Sequence, residues 1–177
     1  MADRRAPEPF QANWHLDAIC EHLEAVASLQ IKNLLINVPP RFGKSTIVSV
    51  MFPAWLWARN PTLRLLYSSY AQGLSTRDAL ATRRLIESSW YQSQWGSVYR
   101  ITTDQNEKTR FENDGRGYRL ATSVGGANTG EGGDIIVCDD PPRRRAPASS
   151  VPRRPRSATS RLRVDSLTRT ASSRPAP

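Results

Sequence analysis

The apolar positions of this chain change period several times, and each change marks an element. Between Trp14 and Leu29 they fall at Leu16, Ile19, Cys20, Leu23, Val26 and Ala27, the spacing of one helical stripe. Asn13 stands before the stripe as a cap, and Asp17 lies in the first turn, where a carboxylate favours the helix dipole. Asn33–Val38 (NLLINV) is a continuous apolar run ahead of Pro-Pro and predicts a buried strand. Lys44–Ala58 returns to a helical pattern, which Pro53 is expected to kink or break. Arg64–Tyr70 (RLLYSSY) predicts a second strand. Ser75-Thr76-Arg77-Asp78 has the form of a capping box, expected to open a helix that runs to Ser88.

Trp90–Arg100 shows no clear period. Thr109–Glu112 and Gly117–Thr122 predict a hairpin about the turn Asn113-Asp114-Gly115. Gly125–Gly133 is a glycine-rich loop, and Asp134–Cys138 (DIIVC) is a third buried strand that runs into Asp139-Asp140. Strands that alternate with helices predict an α/β fold with a parallel sheet and flanking helices. There is no internal repeat.

The junction between the first strand and the second helix carries chemistry. A triphosphate needs inward-pointing backbone N–H groups, a cation and a helix N-terminus. Strand, loop, Gly43-Lys44-Ser45 and helix supply that order. Gly43 lets the backbone approach the phosphates, Lys44 reaches the β and γ phosphates, and Ser45 offers a hydroxyl to Mg²⁺. Thr46 follows as a contact to the α phosphate. Val38 stands where the usual loop begins with glycine, and Pro39-Pro40 can fix the strand exit instead. The alternative is a lysine at a helix start with no ligand. The second half of such a site is a buried strand that ends in acids. Asp139 is placed to bind Mg²⁺, and Asp140 to polarise an attacking water. The bland alternative is a strand closed by solvated acids before a Pro turn.

Charge changes the picture of the C-terminal end. The net charge of +9 suggests a nucleic-acid partner. However, residues 141–177 hold ten arginines and one acid, Asp165, so this stretch alone supplies 10 − 1 = +9. Residues 1–140 hold the remaining 15 basic and 15 acidic side chains and are neutral. The stretch 141–177 also has seven prolines, seven serines and no aromatic residue, and predicts disorder. It reads as a basic arm on DNA or RNA, as a solvated low-complexity end, or as the product of a slipped reading frame. The last explains the abrupt switch best, because a GC-rich gene read out of frame yields Arg, Pro, Ala and Ser in bulk.

Cys20 and Cys138 are expected to be reduced core residues of a cytosolic protein, without a disulfide. His15 and His22 share a helix with Cys20 but fit no zinc spacing. No apolar run is long enough for a membrane span, and MADRRAPEPF has no apolar signal region.

Five segments together resemble the large terminase subunit of tailed bacteriophages. They are WHLDAICEHLEAV (Trp14–Val26), LLINVPPRFGKST (Leu34–Thr46), LYSSYAQGLSTRDA (Leu66–Ala79), DQNEKTRFEN (Asp104–Asn113) and SVGGANTGEGGDIIVCDDP (Ser123–Pro141). The resemblance implies a partial RecA-like P-loop NTPase of the ASCE type over residues 1–140, whose ATPase drives viral DNA into the capsid. It implies ATP and Mg²⁺ as cofactors, with Arg41, Phe42, Gly43, Lys44, Ser45 and Thr46 on the nucleotide. Lys44 and Asp140 are then catalytic, and Ser45 and Asp139 hold the metal. Gln11, Trp14 and His15 fall on the adenine side; an aromatic helix start in the core is the equal alternative. Leu66–Gln72 falls where helicase-like ATPases face DNA. Double-stranded DNA, the small terminase subunit, the capsid portal and a homo-oligomeric ring are the implied partners, in the cytoplasm of a bacterial host.

Such a ring needs an arginine from a neighbouring subunit; Arg110, Arg116 and Arg119 are candidates, each also readable as surface charge. The family also implies a strand between the phosphate-loop strand and the acidic strand, and a following nuclease domain. Neither is visible after Asp140, so the chain reads as an N-terminal fragment with a gap in its sheet, expected to fold poorly. Two further readings remain: a helicase-like ATPase not tied to capsids, and a non-enzymatic binder of nucleic acid through its basic tail.

Overall fold

The structure, a computed structural model, describes residues 11–124, 131–140 and 158–164 of the 177. It is an α/β fold built on one mixed sheet. In chain order the elements are α1 (Trp14–Ala27), β1 (Asn33–Val38), a π-helical turn (Thr46–Met51), α2 (Phe52–Arg59), β2 (Leu65–Ser69), α3 (Gln72–Glu87) and α4 (Ser89–Trp95). These are followed by β3 (Ile101–Asn106), β4 (Arg110–Asn113), β5 (Tyr118–Ser123), β6 (Ile135–Asp139) and β7 (Ala158–Val164). The strand order is β1-β7-β6-β2-β5-β4-β3. Strands β6, β2 and β5 pair in parallel, and β1 runs the same way, because β7 is antiparallel to both β1 and β6. The carboxyl ends of β1, β2, β5 and β6 therefore share one edge of the sheet.

Several expectations need correction. The sheet is mixed rather than parallel: β7 and β4 run against their neighbours. Ala158–Val164, inside the segment expected to be disordered, is a strand. It occupies the slot between β1 and β6 that was expected to be a gap. Its six-residue pairing with β1 and five-residue pairing with β6 satisfy ladder groups on both, and Leu162 is fully buried there. The rest of 141–177 lies outside the described residues.

β1 is not a buried strand. It ends the described sheet, and only Ile36 is buried while Leu35 is 58% exposed. Cys20 is exposed and Cys138 only half-buried, so neither is a core residue. The buried stripe of α1 is narrower than the sequence suggested: Ile19, Leu23 and Val26 face inward, and Cys20 lies one step round the helix.

The core forms around Trp57, which is wholly buried and meets Tyr99 and Phe111 edge-on at 5.7 and 5.6 Å. Its indole N–H donates to Leu63 O at 2.9 Å. α3 begins at Gln72, earlier than the capping box implied, so Ser75 and Asp78 are buried inside the helix instead of capping it. Ser75 Oγ donates to Thr122 O at 2.7 Å and pins α3 to β5. The patternless segment Trp90–Arg100 holds nearly all of α4, whose cap Ser88 accepts from Tyr91 N–H, and ends just before the strand β3. The β4–β5 hairpin forms as expected, closed by Asn113 N–H to Gly117 O at 3.0 Å. Asn113 is buried, donates to Pro61 O and accepts from Gly117 N–H.

Pro53 lies in the first turn of α2, directly after the π-helical turn. Phe52 N–H reaches back five residues to Ile47 O, and Pro53 has no N–H to offer. The carbonyls of Val48 and Ser49 are met by side chains instead. Tyr67 OH donates to Val48 O at 3.2 Å. Thr82 Oγ1 and Arg119 Nη2 donate to Ser49 O at 3.2 and 2.9 Å. The irregular turn after the loop is thus tied to β2, α3 and β5.

Candidate functional site

The loop between β1 and the π-helical turn opens at the shared carboxyl edge, the usual place for ligands on parallel strands. Two of its residues have left-handed backbone, Arg41 at φ 69° and Gly43 at φ 75°. At Gly43 the absence of a Cβ makes this conformation easy; Arg41 adopts it despite its side chain. Lys44 follows at the helical start and is almost fully buried, at 4% exposure.

The ammonium of Lys44 lies 2.7 Å from Asp139 Oδ1 and 3.0 Å from Asp140 Oδ1. Ser45 Oγ donates to Asp139 Oδ2 at 2.8 Å, and Ser49 Oγ approaches the same oxygen at 3.4 Å. One carboxylate thus accepts from the lysine, the first helical serine and the serine one turn on. Register explains the convergence. Asp139 is the last residue of β6, aligned with Ser69 at the end of β2, so it reaches the edge where the loop lies. Asp140, at φ 47°, turns the chain out of the strand.

The donor set suits a hydrated Mg²⁺–phosphate. Mg²⁺ is commonly held by one or two carboxylates with phosphate and water completing its shell, and Ser45 Oγ and Asp139 Oδ2 already face each other. Among the described residues no group of three or more His, Cys, Asp or Glu is placed to cage a metal by itself.

Of the other expected residues, His15 meets the loop. Its ring lies 5.2 Å from that of Phe42, and its Nε2 is 3.2 Å from Phe42 O. Trp14 sits edge-on to His15 and is 78% exposed, so the alternative of a core aromatic does not hold for it. Gln11, Arg41 and Thr46 are exposed.

The three arginines considered for a neighbouring site separate clearly. Arg110 is bonded to Glu112 and Glu131, at 2.7 and 2.9 Å. Arg116 is exposed in the turn before β5, at the sheet edge opposite the loop. Arg119 is not surface charge: it is the second residue of β5 and is wholly buried. Its guanidinium stacks 4.4 Å from the Tyr67 ring centre, and its Nε and Nη1 have no hydrogen-bond partner among the described residues. Burial pushes its pKa down to about 10, opposed by the nearby Tyr67 and Asp78. Sequence reasoning missed its place beside the acids. The available signal was an arginine inside the apolar run of β5, since arginine is almost never fully buried without cause.

No described helix is long and apolar enough to cross a membrane. The chain matches no protein-family model, no curated protein and no solved structure.

Proposed function

We propose that the chain is the ATPase region of a DNA-packaging motor subunit of the large-terminase type. The observation that carries this reading is the meeting of Lys44, Ser45 and Asp139 at one point, from two segments 95 residues apart. Strand order supports it as well. One strand separates the phosphate-loop strand from the acidic strand, the spacing expected for a RecA-like ASCE sheet, although here that strand is antiparallel. His15 beside Phe42 supports an adenine side next to the loop.

In this reading Lys44 leaves Asp139 and takes the β and γ phosphate oxygens. Ser45 and Asp139 would hold Mg²⁺, which would supply neutralisation of the phosphate charge. Asp140 orients the attacking water and accepts its proton. The buried position of Lys44 strengthens its attraction for phosphate, because little water screens it. Double-stranded DNA is the proposed track, and turnover is coupled to contacts with its backbone.

Binding of Mg-ATP to the 177-residue chain, measured by calorimetry beside Lys44→Ala, tests the assignment. Loss of a buried charge-assisted contact should weaken binding at least about tenfold. Equal binding by the two proteins would remove the loop from the site.

A further inference from the structure

Next to the Lys44–Asp139 contact is a partly enclosed cavity of about 210 Å³. Its walls include Tyr67 and Ser69 of β2, Ser75 and Asp78 of α3, Arg119 of β5 and Asp139 of β6. One water needs only about 10–15 Å³ of such space, so the cavity has room for a tetrahedral anion with water around it.

The hydroxyl protons around it already go to protein. Tyr67 donates to Val48 O, Ser69 to Ala71 O and Ser75 to Thr122 O. Each acid on the walls has a cation: Asp78 is held by Arg77 at 2.8 Å, and Asp139 and Asp140 share Lys44 at 2.7 and 3.0 Å. Arg119 stands apart. Its Nη2 is engaged by Ser49 O, while Nε and Nη1 are buried with no hydrogen-bond partner among the described residues. Among the described residues no carboxylate lies within ion-pair distance of it. The Tyr67 ring and the Ser49 carbonyl fix the guanidinium in place, so its idle N–H groups are preorganised. A buried, fixed cation with unused donors on a partly enclosed cavity is complementary to an anion.

We propose that this cavity is a phosphate pocket, in which Arg119 binds inorganic phosphate through its unpartnered N–H groups, beside Asp139. That the phosphate comes from a cleaved nucleotide rests on the function proposed above; the binding itself does not. Arg119 then receives the product after hydrolysis, and the pocket is a way station between the acids and solvent.

Nuclear magnetic resonance of the full chain, labelled with ¹⁵N-arginine, tests this during titration with inorganic phosphate. The Nε–H signal of Arg119 is identified by its loss in Arg119→Lys, or by through-bond assignment along β5 if that variant does not fold. The signal should move and saturate in the parent chain and also in the double variant Lys44→Met with Asp139→Asn, where the loop lacks its cation and the cavity wall keeps no buried carboxylate that has lost it. In that double background, Arg119→Lys, or Arg119→Gln if the lysine variant does not fold, should weaken phosphate binding about tenfold. An Nε–H signal that ignores phosphate in the folded protein overturns the pocket and leaves a cavity of water. Loss of Mg-ATP binding with a retained phosphate response would sink the nucleotide reading alone; the reverse result would sink the pocket alone.

Discussion

Lys44 and Asp139 form an ion pair at 2.7 Å with both partners buried, Lys44 at 4% and Asp139 at 9% exposure. Neither charge has easy access to water, so each depends on the other. Lys44→Met should cost about 3–5 kcal/mol, since it leaves a carboxylate short of its cation. Lys44→Met with Asp139→Asn should regain much of that loss, because the buried carboxylate is then neutralised together with its cation, and Asp140, which also contacts Lys44, is half-exposed to water. Chemical denaturation of the two variants checks this. A double variant no more stable than the single would mean that the pair contributes little to the fold.

The chain's last described strand should be essential. A protein ending at residue 157 lacks β7 and leaves ladder groups of β1 and β6 without partners, each costing about 1–3 kcal/mol where buried. Against a total of about 5–15 kcal/mol, this should abolish cooperative unfolding. Thermal scans by circular dichroism on both lengths provide the comparison; a sharp transition in the shorter chain would contradict the role of β7.

Asp134 clamps the opposite edge of the sheet. It accepts from Arg64 N–H at 2.8 Å and from Arg64 Nη2 at 2.8 Å. Burial alone would raise its pKa, but the Arg64 bonds outweigh this and hold it below the ordinary carboxylate value of 3.8. A depressed folded pKa means stability that is present above pH 3.8 and lost as pH falls through the folded value. Asp134→Asn should remove that part of the acid sensitivity and cost about 1–3 kcal/mol at neutral pH. An unchanged acid midpoint in the variant would count against the clamp.

Gly117 lies against backbone. A Cβ added there would come within 2.1 Å of Pro61 O and 2.8 Å of Leu63 O. Gly117→Ala should therefore separate the β4–β5 turn from the segment before β2 and cost more than about 2 kcal/mol. Gly73 provides the control, since a Cβ there meets nothing within 4 Å. Equal melting temperatures for the two alanine variants would refute the close approach.

Much of the fold was legible wherever the signal is local. NLLINV, RLLYSSY and DIIVC are apolar runs bounded by Pro, Gly or Asp, and each became a strand within a residue or two of its expected limits. The turn at Asn113-Asp114-Gly115 was equally plain. What the sequence hid depends on distant partners. ATSRLRV has no apolar run, and it is a strand because β1 and β6 both offer it edges. The register of the turn after Lys44 follows from Pro53 together with Tyr67, Thr82 and Arg119, none of which is a neighbour in sequence. The early start of α3 displaced a capping box whose spacing was correct but whose serine faces β5. At the site, Lys44, Ser45 and Asp139 were legible as residue types in order. Arg119 was not, because only the packing reveals which arginine has lost its water.

The antiparallel strand between β1 and β6 also bears on the order of assembly. Of the described strands it is the last to leave the ribosome, yet its berth is in the interior of the sheet. No nascent chain short of residue 164 can close the gap that seats Lys44 opposite Asp139. The two halves of the site must wait, separately folded or collapsed, for a segment made after both, so its formation is a slow, long-range step that follows the synthesis of β7.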